Sequence, residues 1–211
     1  MQYIYLHGFA SSPNSAKAQY LSDRFAEIHK KIKIPDLNAG DFFHLTITRQ
    51  ITQIASQIGD DATPVTLIGS SLGGLIAAHL GQQYPQVERL VLLAPAFGFL
   101  GHWMGKLGNE QLVSWEQEKS LMVYHYGEGK YLPLCYDFVT DAGRYIENVL
   151  QRPIPTLIIH GREDQVIPIQ ASQDFAKSRS WVKLIELESD HALSNVLPVI
   201  WQETCLFCQI P

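Results

Sequence analysis

Positive charge is in short supply in this chain. Lysine and arginine together number 16 against 21 aspartates and glutamates, a formal net charge of −5 at pH 7. Nucleic-acid binding needs a basic face that neutralises phosphates, so no nucleic-acid partner is expected. Cysteine is scarcer still, with three residues, Cys135, Cys205 and Cys208. The first residues, "MQYIYLHGFA", lack the basic and apolar regions of a signal peptide. An odd cysteine count without such a signal reads as reduced thiols in the cytoplasm. Cys205 and Cys208 have CxxC spacing, but no further ligands stand at zinc-site spacing, and the pair closes the chain instead of opening a helix after an early strand. We read them as small apolar residues of a terminal helix. Long hydrophobic runs are missing as well. The longest, "LVLLAPAFGFL" over residues 90–100, is too short to span a bilayer and is cut by Pro95, so no membrane partner is expected. There is no internal repeat, no low-complexity segment and no G-x-x-x-x-G-K-[ST] phosphate loop. No metal or other cofactor is expected.

What the chain has in quantity is apolar residues, 46% of 211, enough for one domain with a sizeable core. Strand-like apolar runs recur at 3–7, 31–34, 65–69, 89–93, 156–160 and 182–187. Helix-like segments lie between most of them. Residues 15–29 place Ala18, Leu21, Phe25 and Ile28 at helical spacing, and 47–58 do the same with Ile47, Ile51, Ile54, Ala55 and Ile58. Segments 72–84, 170–178 and 195–208 complete the set. Strand and helix in alternation make right-handed crossovers. The expected class is therefore α/β, with a mostly parallel sheet of about six strands and helices on both faces. Residues 98–152 break the rhythm: they hold Trp103, Trp115, Tyr124, Tyr126, Tyr131 and Tyr136 but no strong strand. A stretch of this length is too long for a plain loop. The expectation is a short helical cap, inserted into a single domain spanning residues 1–211 and covering one end of the sheet.

"TPVTLIGSSLGG", residues 63–74, carries the chemistry. It fits G-x-S-x-G with Ser71 at the centre, where a strand ends and a helix begins on a strained turn. Gly69 and Gly73 stand where neighbours come too close for a Cβ. Ser70 should point elsewhere and serve packing or hydrogen bonding. A serine hydroxyl needs a base, and the base needs a carboxylate to orient it. Of eight histidines, His191 in "VKLIELESDHAL" alone follows a late strand and a late acid. His7 and His160 each end a strand just before a glycine, and His160 precedes the acid. The acid is Asp164 in "PTLIIHGREDQVIP", preferred over its neighbour Glu163 and over Asp190, which adjoins His191 too closely to reach its Nδ1. An oxyanion would be held by backbone N–H groups, one from Leu72 and one from Phe9 in the loop after the first strand. Phe97, Phe99 and Trp103 are candidate walls of an acyl pocket.

Taken together, "YLHGF", "GSSLGG", "GREDQVIP" and "SDHAL" resemble the α/β-hydrolase superfamily, and "LHGFASSPNSAKAQYL" resembles its small bacterial YqiA-like branch of uncharacterised esterases. The resemblance runs end to end. It implies a serine hydrolase acting on a small-molecule ester or thioester, with Ser71 as nucleophile, Asp164 as acid and His191 as base. The chain departs from larger members in starting at the strand before the oxyanion loop and in having a short insertion, which weakens any analogy to membrane-acting lipases. Aminopeptidase, lactonase or C–C hydrolase chemistry, and a non-catalytic small-molecule-binding protein, are the competing readings on the same scaffold.

Overall fold

A computed structural model describes residues 1–59 and 62–210, and its strands are β1 (Gln2–Leu6), β2 (Ile32–Lys33), β3 (Val65–Ser70), β4 (Val87–Leu93), β5 (Ser120–His125), β6 (Lys130–Cys135), β7 (Thr156–Gly161) and β8 (Val182–Leu187). Six of them form one sheet in the order β2-β1-β3-β4-β7-β8. Every pairing in it is parallel. All residues of β3 and β7 are buried, as continuous Val/Ile/Leu runs at the centre of a two-sided sheet should be. At the edges, β2 shrinks to two residues and β8 is only half-buried.

Alternation along the strands feeds two cores. On one face Ile4, Leu6, Leu67, Leu90, Leu92 and Ile158 meet α2 (Ile47–Ile58) and α3 (Leu72–Gln83). On the other, Tyr3, Tyr5, Ile68, Val91, Leu157 and Ile159 meet α1 (Ala16–Glu27) and α8 (Leu197–Cys208), where Cys208 is one of the packed residues. Helix α2 shows how sequence makes an element. The Thr46 hydroxyl accepts the Arg49 N–H at 3.0 Å as an N-cap, and Ile47, Ile51, Ile54 and Ile58 turn one stripe inward. Each isoleucine so buried contributes on the order of 2 kcal/mol.

The insertion holds the expected helices and, beyond them, a strand pair where no strand was expected. It carries α4 (Phe99–Leu107), α5 (Asn109–Glu118) and α6 (Asp137–Ala142), but also β5 and β6, paired antiparallel from Ser120↔Cys135 to His125↔Lys130. The hairpin is apolar on both faces, so its period of two leaves no polar alternation to read, and Pro133 in β6 argues locally against a strand. Trp115, buried on α5, ties α5 to the hairpin by donating to the Leu134 carbonyl at 2.9 Å. The remaining helix, α7 (Ile169–Lys177), lies between β7 and β8. Among the described residues no helix is long and apolar enough to cross a membrane.

Register brings the strand ends level: Leu6 pairs with Gly69, Gly69 with Leu92, Leu92 with Ile158 and Ile158 with Leu184. The chain leaves β1 for the β2 edge and returns to β3 on the other side. The sheet therefore has its topological switch point between β1 and β3, and their carboxyl ends open the crevice in which such folds place ligands.

Candidate active site

Ser71 stands at that crevice, between β3 and α3, with φ 54° and ψ −121°. A left-handed backbone on a residue with a Cβ costs about 1–3 kcal/mol and has to be held by its surroundings. Here the Ser71 N–H donates to the Leu93 carbonyl at 2.9 Å, and its own carbonyl accepts the N–H of Gly74 at 2.8 Å and of Ala96 at 3.0 Å. Gly73 permits the turn, since a Cβ there would overlap the Leu6 carbonyl and lie 2.6 Å from that of His7. The Ser70 hydroxyl turns toward the Tyr5 hydroxyl, whose pKa burial pushes up to about 12 while Ser70 and Ser15 pull the other way.

Three side chains from distant parts of the sequence meet above this turn. Ser71 Oγ lies 3.0 Å from His191 Nε2, and His191 Nδ1 lies 2.6 Å from Asp164 Oδ2. Asp164 is buried in the loop after β7, and every lone pair of its carboxylate is used. Oδ1 accepts the N–H groups of Val166 and Ile167, both at 2.8 Å. Oδ2 accepts His191 and, at 3.1 Å, the Nε2 of His160. Burial on its own raises the Asp164 pKa, but the hydrogen bonds from His160 and His191 outweigh it and hold the carboxyl well below the usual range. The rival acids are placed otherwise. Glu163 is exposed, and Asp190 Oδ1 accepts the N–H groups of Ala192 at 2.9 Å and Leu193 at 3.3 Å, shaping the loop that carries His191. Lys17, in the first turn of α1, clamps that loop by donating to the Ala192 carbonyl at 2.7 Å. Burial lowers its pKa to about 8 against the pull of Asp190 and Asp164.

The β1 side supplies the other half. Gly8 lies against Ser71, so that a Cβ on it would be 3.2 Å from the serine Cβ. Buried His7 fixes the peptide that follows. Its Nε2 accepts the Leu37 N–H at 2.9 Å, which leaves Nδ1 to donate to the Gly8 carbonyl at 2.9 Å. In a trans peptide the N–H points opposite to the C=O, so holding the Gly8 carbonyl aims the Phe9 N–H the other way. Burial lowers the His7 pKa and keeps the ring neutral, as this donor–acceptor pattern requires. Leu72, the first residue of α3, has its side chain wholly buried, so that only its backbone could face the cleft.

Around Ser71 and His191 opens a cleft of about 760 Å³, walled on one side by Phe9, Phe99, Trp103, Val123, Tyr124 and Tyr126. Phe99 and Trp103 are thus where the sequence places them. Phe97 is not: it is a core residue, 2% exposed and stacked on Phe175 at 4.2 Å, because Gly98 at φ 65° turns the chain before α4 and separates it from Phe99. The Phe9 ring, expected only as the owner of an N–H, packs on Trp103 at 5.1 Å and Phe99 at 5.9 Å. The hairpin tip rests on the loop after Phe9, with the Gly127 N–H donating to the Ala10 carbonyl at 3.3 Å. Sequence reasoning missed His7 and His160 as working parts. Their shared signal is a His-Gly pair at the carboxyl end of a sheet strand, directly after β1 for His7 and closing β7 for His160.

Among the described residues no group of three or more His, Cys, Asp or Glu side chains could hold a metal ion. Residues 2–208 match the profile of "Uncharacterised protein family (UPF0227)". The chain is 26% identical to the pimeloyl-[acyl-carrier protein] methyl ester esterase of Vibrio vulnificus (strain CMCP6), across 82% of this chain and 80% of that one. Alpha/beta hydrolase domain-containing protein 10 from mouse superposes with a TM-score of 0.81 at 21% identity, covering 100% of this chain and 90% of the mouse chain. Est1E from Butyrivibrio proteoclasticus, solved with ferulic acid bound, gives 0.81 at 20% identity over 99% and 88%. The fold shared with these structures is that of the α/β hydrolases.

Proposed function

The chain is an α/β hydrolase that belongs to the uncharacterised protein family UPF0227, and from that premise we propose that it cleaves carboxylic esters or thioesters through a Ser71–His191–Asp164 triad and an acyl-enzyme intermediate. The observation that carries this reading is the unbroken hydrogen-bonded line from Ser71 Oγ through both nitrogens of His191 to Asp164, ending in an open cleft. The methyl ester esterase of Vibrio vulnificus, by its name, acts on the same class of bond.

His191 Nε2 takes the Ser71 proton as Oγ bonds to the substrate carbonyl carbon. The carbonyl oxygen gains the negative charge, and the N–H groups of Phe9 and Leu72 stabilise it. Collapse re-forms the carbonyl and breaks the bond to the alcohol or thiol, which leaves with the proton from Nε2. Water then repeats the sequence on the acyl-serine, giving its proton to His191 and its oxygen to the released acid. Asp164 stays ionised throughout, held so by its four donors. The apolar wall of Phe99, Trp103 and Val123 suits the acyl chain. We place the activity in the cytoplasm, where the three free thiols of Cys135, Cys205 and Cys208 remain reduced.

The test is a fluorophosphonate probe together with a short p-nitrophenyl ester. The wild-type protein should be labelled and should hydrolyse the ester. Ser71→Ala should fold, take no label and lose at least about 10⁴-fold in rate. An unlabelled wild-type protein would instead support a binding function, and a labelled Ser71→Ala would remove Ser71 from the mechanism.

A further inference from the structure

We propose that His160 is a positioning residue for Asp164: it donates to the same carboxylate oxygen as His191, and so sets both where that oxygen lies and how strongly it grips the protonated His191 ring. The catalytic consequence rests on the proposed hydrolase reading, whereas the hydrogen-bonding assignment does not.

The donors and acceptors leave one arrangement. His160 Nε2 is 3.1 Å from Asp164 Oδ2 and 3.0 Å from the Ile167 carbonyl. An ionised carboxylate and a carbonyl can only accept, so Nε2 carries a hydrogen. Nδ1 is 2.7 Å from the Ser172 hydroxyl on α7, which donates to it when the ring is neutral. Ring and hydroxyl are completely buried, and α7 holds the ring from behind. His160 thus fastens the loop after β7 at Asp164 and at Ile167. With Val166 and Ile167 already on Oδ1, its bond to Oδ2 leaves the carboxylate no free rotation. A histidine serving only the core would have no reason to meet the oxygen that faces His191.

The second donor also divides the charge on Oδ2. Without it, Oδ2 would grip the protonated form of His191 more tightly, and free base would be available only at higher pH. The other charged groups around this cluster are Lys17 from α1, Asp190 from the loop of His191, exposed Glu163 beside Asp164, and Glu186 from β8, opposite His160 in the sheet. A substitution at residue 160 leaves all four in place.

Two measurements test the proposal. Long-range ¹H–¹⁵N correlation of the wild-type imidazoles should show Nε2 of His160 protonated. An unprotonated Nε2 overturns the proposal, whether or not the protein hydrolyses anything. In the rate–pH profile, His160→Leu should move the acid limb of kcat/KM up by about 0.5–1 pH unit, while His160→Gln, which can return an N–H to Oδ2, should stay with the wild type. A Leu variant that folds and loses rate equally at every pH, with the limb unmoved, overturns the proposal. Should the Leu variant fail to fold, the imidazole spectrum decides alone. Failure of the hydrolase reading would show separately, as absence of fluorophosphonate labelling.

Discussion

Gly161, the last residue of β7, touches the carbonyl oxygens of Ser189 and Asp190: a Cβ on it would overlap the first and lie 2.7 Å from the second. The loop that carries His191 therefore rests directly on the end of the strand that leads into Asp164. Two backbone bonds seal the contact, Arg162 N–H to Leu187 O at 2.9 Å and Glu163 N–H to Ser189 O at 3.0 Å. Only backbone atoms oppose the new methyl in Gly161→Ala, so the loop itself has to move. A displacement near 1 Å between base and nucleophile costs roughly 10²-fold in rate. We expect Gly161→Ala to lose about that factor in kcat/KM on a p-nitrophenyl ester, and to lose about 1–3 kcal/mol of stability by urea unfolding. Full activity in the variant would mean that the loop has slack that the contact does not suggest.

His7 offers a test of the oxyanion assignment that leaves Ser71, His191 and Asp164 untouched. In His7→Leu the Gly8 carbonyl loses its donor and the Leu37 N–H its acceptor. The Phe9 peptide is then free to turn. Loss of one oxyanion donor costs about 10²–10³-fold, and partial loss of its aim should cost about 10–100-fold. The fall should appear in kcat with KM nearly unchanged, because the interaction is made in the transition state. A variant that raises KM alone would show that His7 serves substrate binding instead.

The central strands of the sheet were legible because β3 and β7 are continuous apolar runs between turn residues, and burial on both faces demands that pattern, whereas the edge strands β2 and β8 keep lysines or glutamates among their apolar residues and are only partly buried. The Ser71, Asp164 and His191 positions were legible for a related reason. Each follows a readable strand, and a parallel sheet brings all such strand ends to one edge. The β5–β6 hairpin was not legible. Leu121, Val123 and His125 alternate with Met122 and Tyr124, but the outward set is itself apolar or aromatic, with Met122 56% and Tyr124 39% exposed. Phe97 was misread because three aromatics in seven residues suggest one surface, while a single left-handed glycine sends Phe97 to the core and the other two to the cleft. His160 stood in plain sight, but being N-terminal to the acid disqualified it as a base, and nothing in the spacing signals a second donor to the same oxygen.

The parting of Phe97 from Trp103 makes a paired prediction. Trp103→Ala removes a large ring from the apolar wall of the cleft and should favour longer acyl chains. The ratio of kcat/KM for a decanoate over a butyrate ester should rise about tenfold, a little over 1 kcal/mol of differential binding. Phe97→Leu loses its stack on Phe175 and should cost about 1 kcal/mol of stability while leaving the chain-length ratio alone. If Phe97→Leu shifts the ratio as much as Trp103→Ala does, the acyl site lies deeper than the cleft and reaches the core.

His79 predicts the stability of the fold in mild acid. It lies on α3, 3% exposed, with Nε2 lacking a hydrogen-bond partner and its ring edge-on to Tyr145 at 5.0 Å. Burial lowers its pKa to about 4, whereas the unfolded chain titrates near 6.5. Between those values the unfolded state binds more protons than the native one, so stability falls as pH drops through the window. The loss should reach about 2 kcal/mol at pH 5 and roughly 3 at pH 4. Burial lowers the pKa of His7 and His125 too, and they act in the same direction. Asp164 stays ionised through this window, since its pKa is also lowered, and its contribution is lost only in stronger acid. Urea unfolding at pH 7.5 and pH 5 should therefore show a difference in the wild-type protein that shrinks by about 2 kcal/mol in His79→Leu, whatever the variant does to stability at either pH alone. An undiminished difference would assign the acid sensitivity to His7 and His125, whose protonation would strike the loop after β1 and the cap hairpin instead of the core beneath α3.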